Sequence, residues 1–354
     1  MAPKTQKALV VPALKAPWEL RTGYPVPVPG LDEVRVQVMA TSLNPADWKI
    51  QKNGMPFVKT YPFIGGLDAA GIVDEVGENV KNVAKGDRIM CAGGWEPKYA
   101  AFQEYFLHPA DLVVKIPDNL SFDEATTIPL VLATVAVPMW SKSQMGHLGM
   151  PAPWHEGGDQ YRGKPALVTA GASSVGQLAI QLARMQGFSP IITTCSPKHA
   201  EYLESLGATH TLDRALPEAA ALAAVRAATG GAGVAFAYDV VGARPTTRLC
   251  YVALADGGVA ALMAPSLECI EDLKREGDGK RTARPFGSFQ LPGARELGLE
   301  VVARLPGWLA DGTVRPTRVE VLPGGLSGIP EGLERMVRNE VSGVKLVVHP
   351  HETA

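Results

Sequence analysis

The chain has 354 residues, 46% hydrophobic and 20% charged, with a formal net charge of −2, as in a globular protein long enough for two domains. That charge creates no basic field, which argues against nucleic acid or an anionic membrane as a partner. No apolar run reaches the roughly 18 residues of a membrane span, residues 1–7 lack the apolar core of a signal peptide, and Cys91, Cys195, Cys250 and Cys269 form no Cys-x-x-Cys pair, so the cytosol and no metal cluster are expected.

Residues 1–125 predict a β-rich domain. Residues 8–11 read as a first strand, and 34–39 alternate apolar with polar as a half-buried strand does. Further short strands are expected at 69–76, 89–91, 102–107 and 112–116, separated by turns such as Gly77-Glu-Asn79 and Gly86-Asp-Arg88. Many short strands with Gly, Pro and Asp turns suggest a small barrel-like domain. Ser121-Phe-Asp-Glu124 matches a capping box and opens a helix expected to run to about Trp140. Residues 141–165, rich in Gly and Pro, predict a surface loop.

The stretch 166–183 is the strongest local signal. It starts as a short apolar run, tightens at Gly171-Ala-Ser173-Ser174-Val175-Gly176, and continues as a helix with Val175, Leu178, Ala179 and Leu182 on one face. A strand feeding a helix through such a turn offers backbone N–H groups and the positive end of the helix dipole to a phosphate. Ser173 replaces the middle glycine of Gly-x-Gly-x-x-Gly, and its hydroxyl is expected to add a donor for the ligand.

The next strand, 191–195, ends without the Asp or Glu that usually binds the ribose hydroxyls of NAD about 20 residues after the glycine turn. Cys195, Ser196, Lys198 and His199 stand there instead, and Arg214 follows the third strand, 209–213. A hydroxyl and two cations in place of an acid favour NADP(H). Further strands are expected at 234–239 and 258–263, and helices at 175–186, 198–206, 217–229 and about 245–254, an alternation that predicts a doubly wound parallel sheet. Val241-Gly242 and Leu262-Met263 end two of these strands, where ligands of such sheets bind. The charged run 271–281 reads as a solvated face within an irregular stretch, 265–290. A helix at 295–310, another at 332–337 and a last strand at 343–349, able to return to the N-terminal domain, complete the chain.

The order of these pieces resembles the medium-chain dehydrogenase/reductase superfamily over nearly the whole chain. The matching motifs include Asn44-Pro-Ala-Asp47, Gly65-Gly-Leu-Asp68-Ala-Ala-Gly71, Gly86-Asp-Arg88, the 166–183 fingerprint, Tyr238-Asp-Val-Val-Gly242 and Val341-Ser-Gly-Val-Lys-Leu-Val-Val348. The resemblance implies an α/β fold, with a GroES-like β-barrel catalytic domain from 1–125 and 295–354 and a Rossmann NADP(H)-binding domain, 126–294, between them. Zinc alcohol dehydrogenases of the superfamily carry Cys where this chain has Asn44, His-Glu where it has Leu67-Asp68, and a four-Cys lobe that it lacks, so no zinc is expected. Within the zinc-free branch, the 141–165 loop and the strings around Asp47-Trp-Lys49 and Cys195-Ser-Pro-Lys198 look most like fungal trans-acting enoyl reductases, which serve polyketide synthases, and quinone oxidoreductase-like proteins. Mitochondrial enoyl thioester reductases carry a catalytic Tyr where Met55 stands here, which leaves the proton donor open.

The resemblance implies NADPH-dependent reduction of an activated C=C bond in an enoyl thioester or enone. The alternatives are an NADPH:quinone oxidoreductase or a non-catalytic NADPH-binding protein. Expected catalytic residues are Lys49, near the substrate carbonyl; Asn44, at the cofactor ribose or that carbonyl; and Thr134, at the nicotinamide carboxamide. Asp47 is expected to act as a cap or ion-pair partner. Val341-Ser342 would close over the nicotinamide, and Leu130, Phe286 and Phe289 would line the substrate wall. A small or carrier-bound substrate, a polyketide synthase partner, and a monomer or homodimer are implied.

Overall fold

The computed structural model describes residues 3–56, 58–142, 147–263, 268–271, 274, 277–284 and 286–354. It divides into two compact units, 1–130 with 299–311 and 316–354, and 131–298 with 312–315.

In the first unit the strands are β1 (Thr5–Val11), β2 (Glu19–Pro25), β3 (Glu33–Ser42), β4 (Phe63–Ile64), β5 (Asp68–Val76), β6 (Arg88–Ala92), β7 (Tyr105–Pro109) and β8 (Val114–Lys115). Helix α1 (Pro45–Asn53) starts at the motif read from sequence only as Asn-Pro-Ala-Asp, and α2 (Phe122–Ala125) follows the predicted Ser121 cap. Strand β5 pairs antiparallel with β3 and β6, which carries Asp68 opposite Ala92 and Ala69 opposite Thr41. The valines 34, 36 and 38 of β3 pack with Val73, Ile89 and Phe106 in a closed apolar core. Alternation on a half-buried strand produces such a core directly.

The helix expected from Ser121 to Trp140 is two helices: α2 stops, and α3 (Pro129–Trp140) begins at a proline. Pro129 takes the first position of α3, where its missing N–H costs no helical bond, so the new helix starts there, while Pro138 lies inside the same helix. The stretch Phe122–Trp140 is long and apolar enough to cross a membrane, but 78% of its most apolar window is buried within the protein, as in a core helix.

In the second unit β9 (Ala166–Val168), α4 (Ser174–Met185), β10 (Ile191–Cys195), α5 (Ala200–Leu206), β11 (His210–Asp213), α6 (Glu218–Ala228), β12 (Val234–Asp239), α7 (Arg244–Ala253), β13 (Leu254–Leu262), α8 (Glu268–Glu271) and β14 (Arg281–Ala283) alternate. Among the described residues the strands form one parallel sheet in the order β11-β10-β9-β12-β13-β14. The order reverses between β9 and β12, and the carboxyl ends of those strands form the crevice where doubly wound folds bind ligands.

The predicted surface loop at 141–165 is built into the unit instead. Leu148, Met150 and Ala152 are buried, and the backbone of Leu148 and Met150 bonds to Pro138 and Met139 at the end of α3. The Gln186 amide accepts from the Trp140 indole at 2.6 Å and donates to Gly158 O at 2.6 Å, which pins the loop from within. Residues 143–146 of this loop, and 272, 273, 275 and 276 of the charged run, lie outside the described residues.

The chain ends with α9 (Arg295–Ala310), β15 (Val319–Val321), α10 (Ile329–Val337) and β16 (Lys345–Val348). Strand β16 pairs antiparallel with β3, so the last strand does return to the N-terminal sheet.

Candidate active site

Asp68 is the centre of the first unit. Its carboxylate is fully buried, and Lys345, 3% exposed, donates to Oδ2 at 2.8 Å. Asn44 Nδ2 at 2.8 Å and Ser42 Oγ at 3.1 Å donate to the same oxygen, while the Leu130 N–H donates to Oδ1 at 2.7 Å. A buried charge survives only when paired and hydrogen-bonded in this way.

Asn44 lies in extended backbone before α1, and Pro45 takes the first helical position, which suits it. Asp47 accepts from the Asn44 N–H at 2.8 Å and from the Gly66 N–H at 3.2 Å, tying the start of α1 to the Gly65-Gly66 turn. It is therefore a cap, one of the two roles expected of it. Burial raises the Asp47 pKa to about 7, and the neighbouring Asp68 charge adds to this, against the pull of the two N–H donors and Lys345.

This network changes what Asn44 has to offer. Its amide nitrogen is engaged by Asp68 and, at 3.3 Å, by Ser42 O, while its side chain also forms the capping box of α1 with Asp47. Lys49 is half-exposed, with its ammonium 5.6 Å from the Trp48 ring centroid. Met55 packs against a cluster containing Val11, Ile50 and Phe63. Val341 leans on the core that includes Leu43 and Leu346, and Ser342 is exposed beside it.

In the second unit the fingerprint turn is tight for steric reasons. A Cβ on Gly171 would stand 2.1 Å from Thr193 Oγ1, and one on Gly176 2.3 Å from Ala170 O. Ser173 does not supply the ligand donor expected of it: its hydroxyl accepts from the Gly176 N–H at 3.1 Å and donates to Ala170 O at 2.8 Å. It is the N-cap of α4, and the Gln177 N–H is taken by Ser173 O. The first-turn N–H groups of Ser174 and Val175 have no acceptor within the helix, as at the start of any α-helix.

Strands β10 and β11 pair in register, Cys195 beside Asp213, and the Arg214 N–H donates to Cys195 O at 2.8 Å. Ser196, Lys198 and Arg214 are thereby gathered at one pair of strand ends, with Lys198 and Arg214 exposed and His199 buried. Asp213 also lies there, its carboxylate accepting from the Ala215 N–H at 2.9 Å.

At the end of β12 the Tyr238 hydroxyl donates to Thr134 O at 2.7 Å and reaches Met263 Sδ at 3.9 Å, so Thr134 and Met263 meet at one side chain. Gly287 lies directly on Thr134: a Cβ there would be 2.3 Å from Thr134 Cα. Val241 is 49% exposed. Leu262 was expected to face a ligand, but its side chain is in the core beneath α7, so only its backbone is available. Phe289 packs on Ala133, Val137 and Ala294, and Phe286 is half-buried. Two partnerships, Asp68 with Lys345 and Asp239 with Thr169, were missed from sequence.

The comparisons with known proteins agree with this layout. Residues 30–118 match the alcohol dehydrogenase GroES-like domain, and residues 174–275 match the zinc-binding dehydrogenase family. The chain is 31% identical to the trans-enoyl reductase grgB of Penicillium sp over 98% of both chains. It is 30% identical to a zinc-type alcohol dehydrogenase-like protein of Schizosaccharomyces pombe over 93% of this chain and 96% of that one. The fold is that of a quinone oxidoreductase from Pseudomonas syringae pv. Tomato, with a TM-score of 0.76, 24% identity, and 97% and 99% of the two chains covered.

The zinc in those names does not fit the residues present. Among the described residues no three His, Cys, Asp or Glu side chains are grouped to hold a metal ion. Asp68 is committed to Lys345, Asn44, Ser42 and the Leu130 N–H rather than presented as a metal ligand. With a GroES-like match in the first unit, a dehydrogenase match in the second and a relative 31% identical along the whole chain, the chain belongs to the medium-chain dehydrogenase/reductase superfamily of oxidoreductases.

Proposed function

We propose that the protein is an NADPH-dependent reductase of activated C=C bonds, in an enoyl thioester or an enone, working without zinc. The observation that carries this reading is the pairing of β10 with β11, which brings Ser196, Lys198 and Arg214 to adjacent strand ends, next in the sheet to the α4 N-terminus. The N–H groups of Ser174 and Val175 fit a pyrophosphate, and the two cations fit a 2′-phosphate. The curated relative named as a trans-enoyl reductase supports the same chemistry for the acceptor.

The bound cofactor would supply the hydride that adds to the β carbon. Addition there moves negative charge onto the substrate carbonyl oxygen, which needs a donor as it forms. Lys49 is assigned that role, and Asn44 is assigned to the cofactor ribose or that carbonyl. Thr134 holds the carboxamide, and Val341 and Ser342 cover the nicotinamide. Phe286, Phe289 and Leu130 form the substrate wall. A carrier-bound acyl chain and a polyketide synthase partner belong to the same reading.

NADPH consumption against a panel of enones, quinones and enoyl thioesters tests the reading, together with metal analysis of the active protein. Reduction of enones or enoyl thioesters by metal-free protein is expected; no turnover with any acceptor, or stoichiometric zinc needed for activity, overturns it. Lys198→Ala should raise the KM for NADPH about tenfold or more, the loss of one charge-assisted bond, while the KM for NADH stays nearly unchanged. Lys49→Ala should lower kcat about a hundredfold with the NADPH dissociation constant unaltered.

A further inference from the structure

Asp239 is a fully buried carboxylate whose partners are all neutral. Its Oδ1 accepts from the Thr169 hydroxyl at 3.0 Å and from the Val241 and Gly242 N–H groups at 3.1 and 3.2 Å. Its Oδ2 accepts from the Thr247 hydroxyl of α7 at 2.6 Å. The Thr169 hydroxyl in turn accepts from the Val240 N–H at 3.1 Å.

Two consequences follow from this geometry. Thr169 immediately precedes the fingerprint turn, and Asp239 immediately precedes the 240–242 turn, on neighbouring strands at the switch point of the sheet. One carboxylate–hydroxyl pair therefore ties the 240–242 turn to the end of β9. It also takes every N–H of 240–242, so what that turn still offers is carbonyl oxygen. A phosphate needs donors, whereas ribose hydroxyls and a carboxamide NH₂ need acceptors. The α4 end offers donors and the β12 end offers acceptors.

We infer that Asp239, acting through Thr169, is the positioning residue for the nicotinamide half of the cofactor: it holds the 240–242 turn with its carbonyls toward the ligand while leaving the adenosine half unaffected. This rests on the nicotinamide-cofactor reading above. An Asp with four neutral donors and, among the described residues, no cationic partner is costly to bury, and its place at a ligand-binding strand end gives that cost a use.

The test is binding of two probes, NADPH and adenosine 2′,5′-bisphosphate, to the full chain and to Asp239→Asn, Thr169→Val and Thr169→Ser. The bisphosphate carries the 2′-phosphate but no nicotinamide. Asp239→Asn and Thr169→Val should each weaken NADPH about tenfold and the bisphosphate less than about twofold, and Thr169→Ser, which keeps the hydroxyl, should bind both as the parent does. If Asp239→Asn does not fold, the Thr169 pair decides alone. Equal weakening of both probes, no weakening, or failure of Thr169→Ser to retain affinity overturns the inference and leaves the cofactor reading standing. A parent protein that binds neither probe removes both.

Discussion

Asp47 and Ser173 show what single residues disclose. The sequence left Asp47 as a cap or an ion-pair partner, and the structure shows the cap, its carboxylate accepting from the Asn44 N–H. The sequence mistook Ser173 for a ligand donor, because a Ser in a glycine turn serves a cap or a ligand with the same side chain; only the bonds to Ala170 O and the Gly176 N–H separate the two. Asp47 also carries a pH dependence. An unfolded Asp titrates near about 3.9, whereas burial holds the folded one at about 7. Below the unfolded value both states are protonated and the contribution is complete. As pH rises toward 7 the unfolded chain releases a proton that the folded chain keeps, so stability is lost through that window. Thermal unfolding of the parent should lose stability between about pH 4 and pH 7. Asp47→Asn should flatten that slope, and an unchanged slope in the variant would assign it elsewhere.

At the level of elements, strand–helix alternation made the second unit legible, because a parallel sheet with buried strands leaves continuous apolar runs in the chain. The failures have physical reasons. Residues 121–140 hold one helix start at Ser121 and a second at Pro129, and because Pro138 sits inside α3 a proline does not by itself mark the break. The 141–165 segment looks like a loop by its Gly and Pro content, yet Leu148, Met150 and Gln186 fasten it inward. Gly287 was unreadable because a glycine in an irregular stretch has many possible causes. Its cause here is the approach of its backbone to Thr134 in α3, where a Cβ would lie 2.5 Å from Thr134 N and 2.6 Å from Oγ1. Backbone cannot yield as a flexible side chain does, so Gly287→Ala must displace α3 or the 286–288 segment. The expected cost is about 1–3 kcal/mol of stability, typical of overpacking. NADPH affinity should fall with it, since Thr134 moves. A melting temperature equal to the parent's would show that the segment gives way freely.

At the scale of the whole molecule, the return of the last strand to the N-terminal domain was legible in the chain, and β16 does pair with β3, but the ion pair that this return creates was not. Asp68 and Lys345 were each quoted in a motif, 277 positions apart, and nothing local to either names the other. Folding brings β16 alongside β3 and buries the pair beneath them. Removing one partner leaves the other charge buried, which typically costs about 3–5 kcal/mol. Lys345→Met should therefore destabilise the first unit by about that amount, even though Met is the more apolar side chain. Asp68 would keep Ser42, Asn44 and the Leu130 N–H as donors, placing the loss toward the lower end. Asp68→Asn alone should also destabilise, and the double variant should cost less than the two singles together, because neither buried charge is then left alone. Two units need not unfold in one step, so a single melting curve is the wrong readout. Hydrogen exchange reports locally: amides of β16 and β3 should exchange faster in Lys345→Met, while those of β9 and β12 keep the parent's rates. Equal acceleration in both sheets would mean that the pair stabilises more than the unit that contains it, and additive single variants would mean that the two charges do not depend on each other.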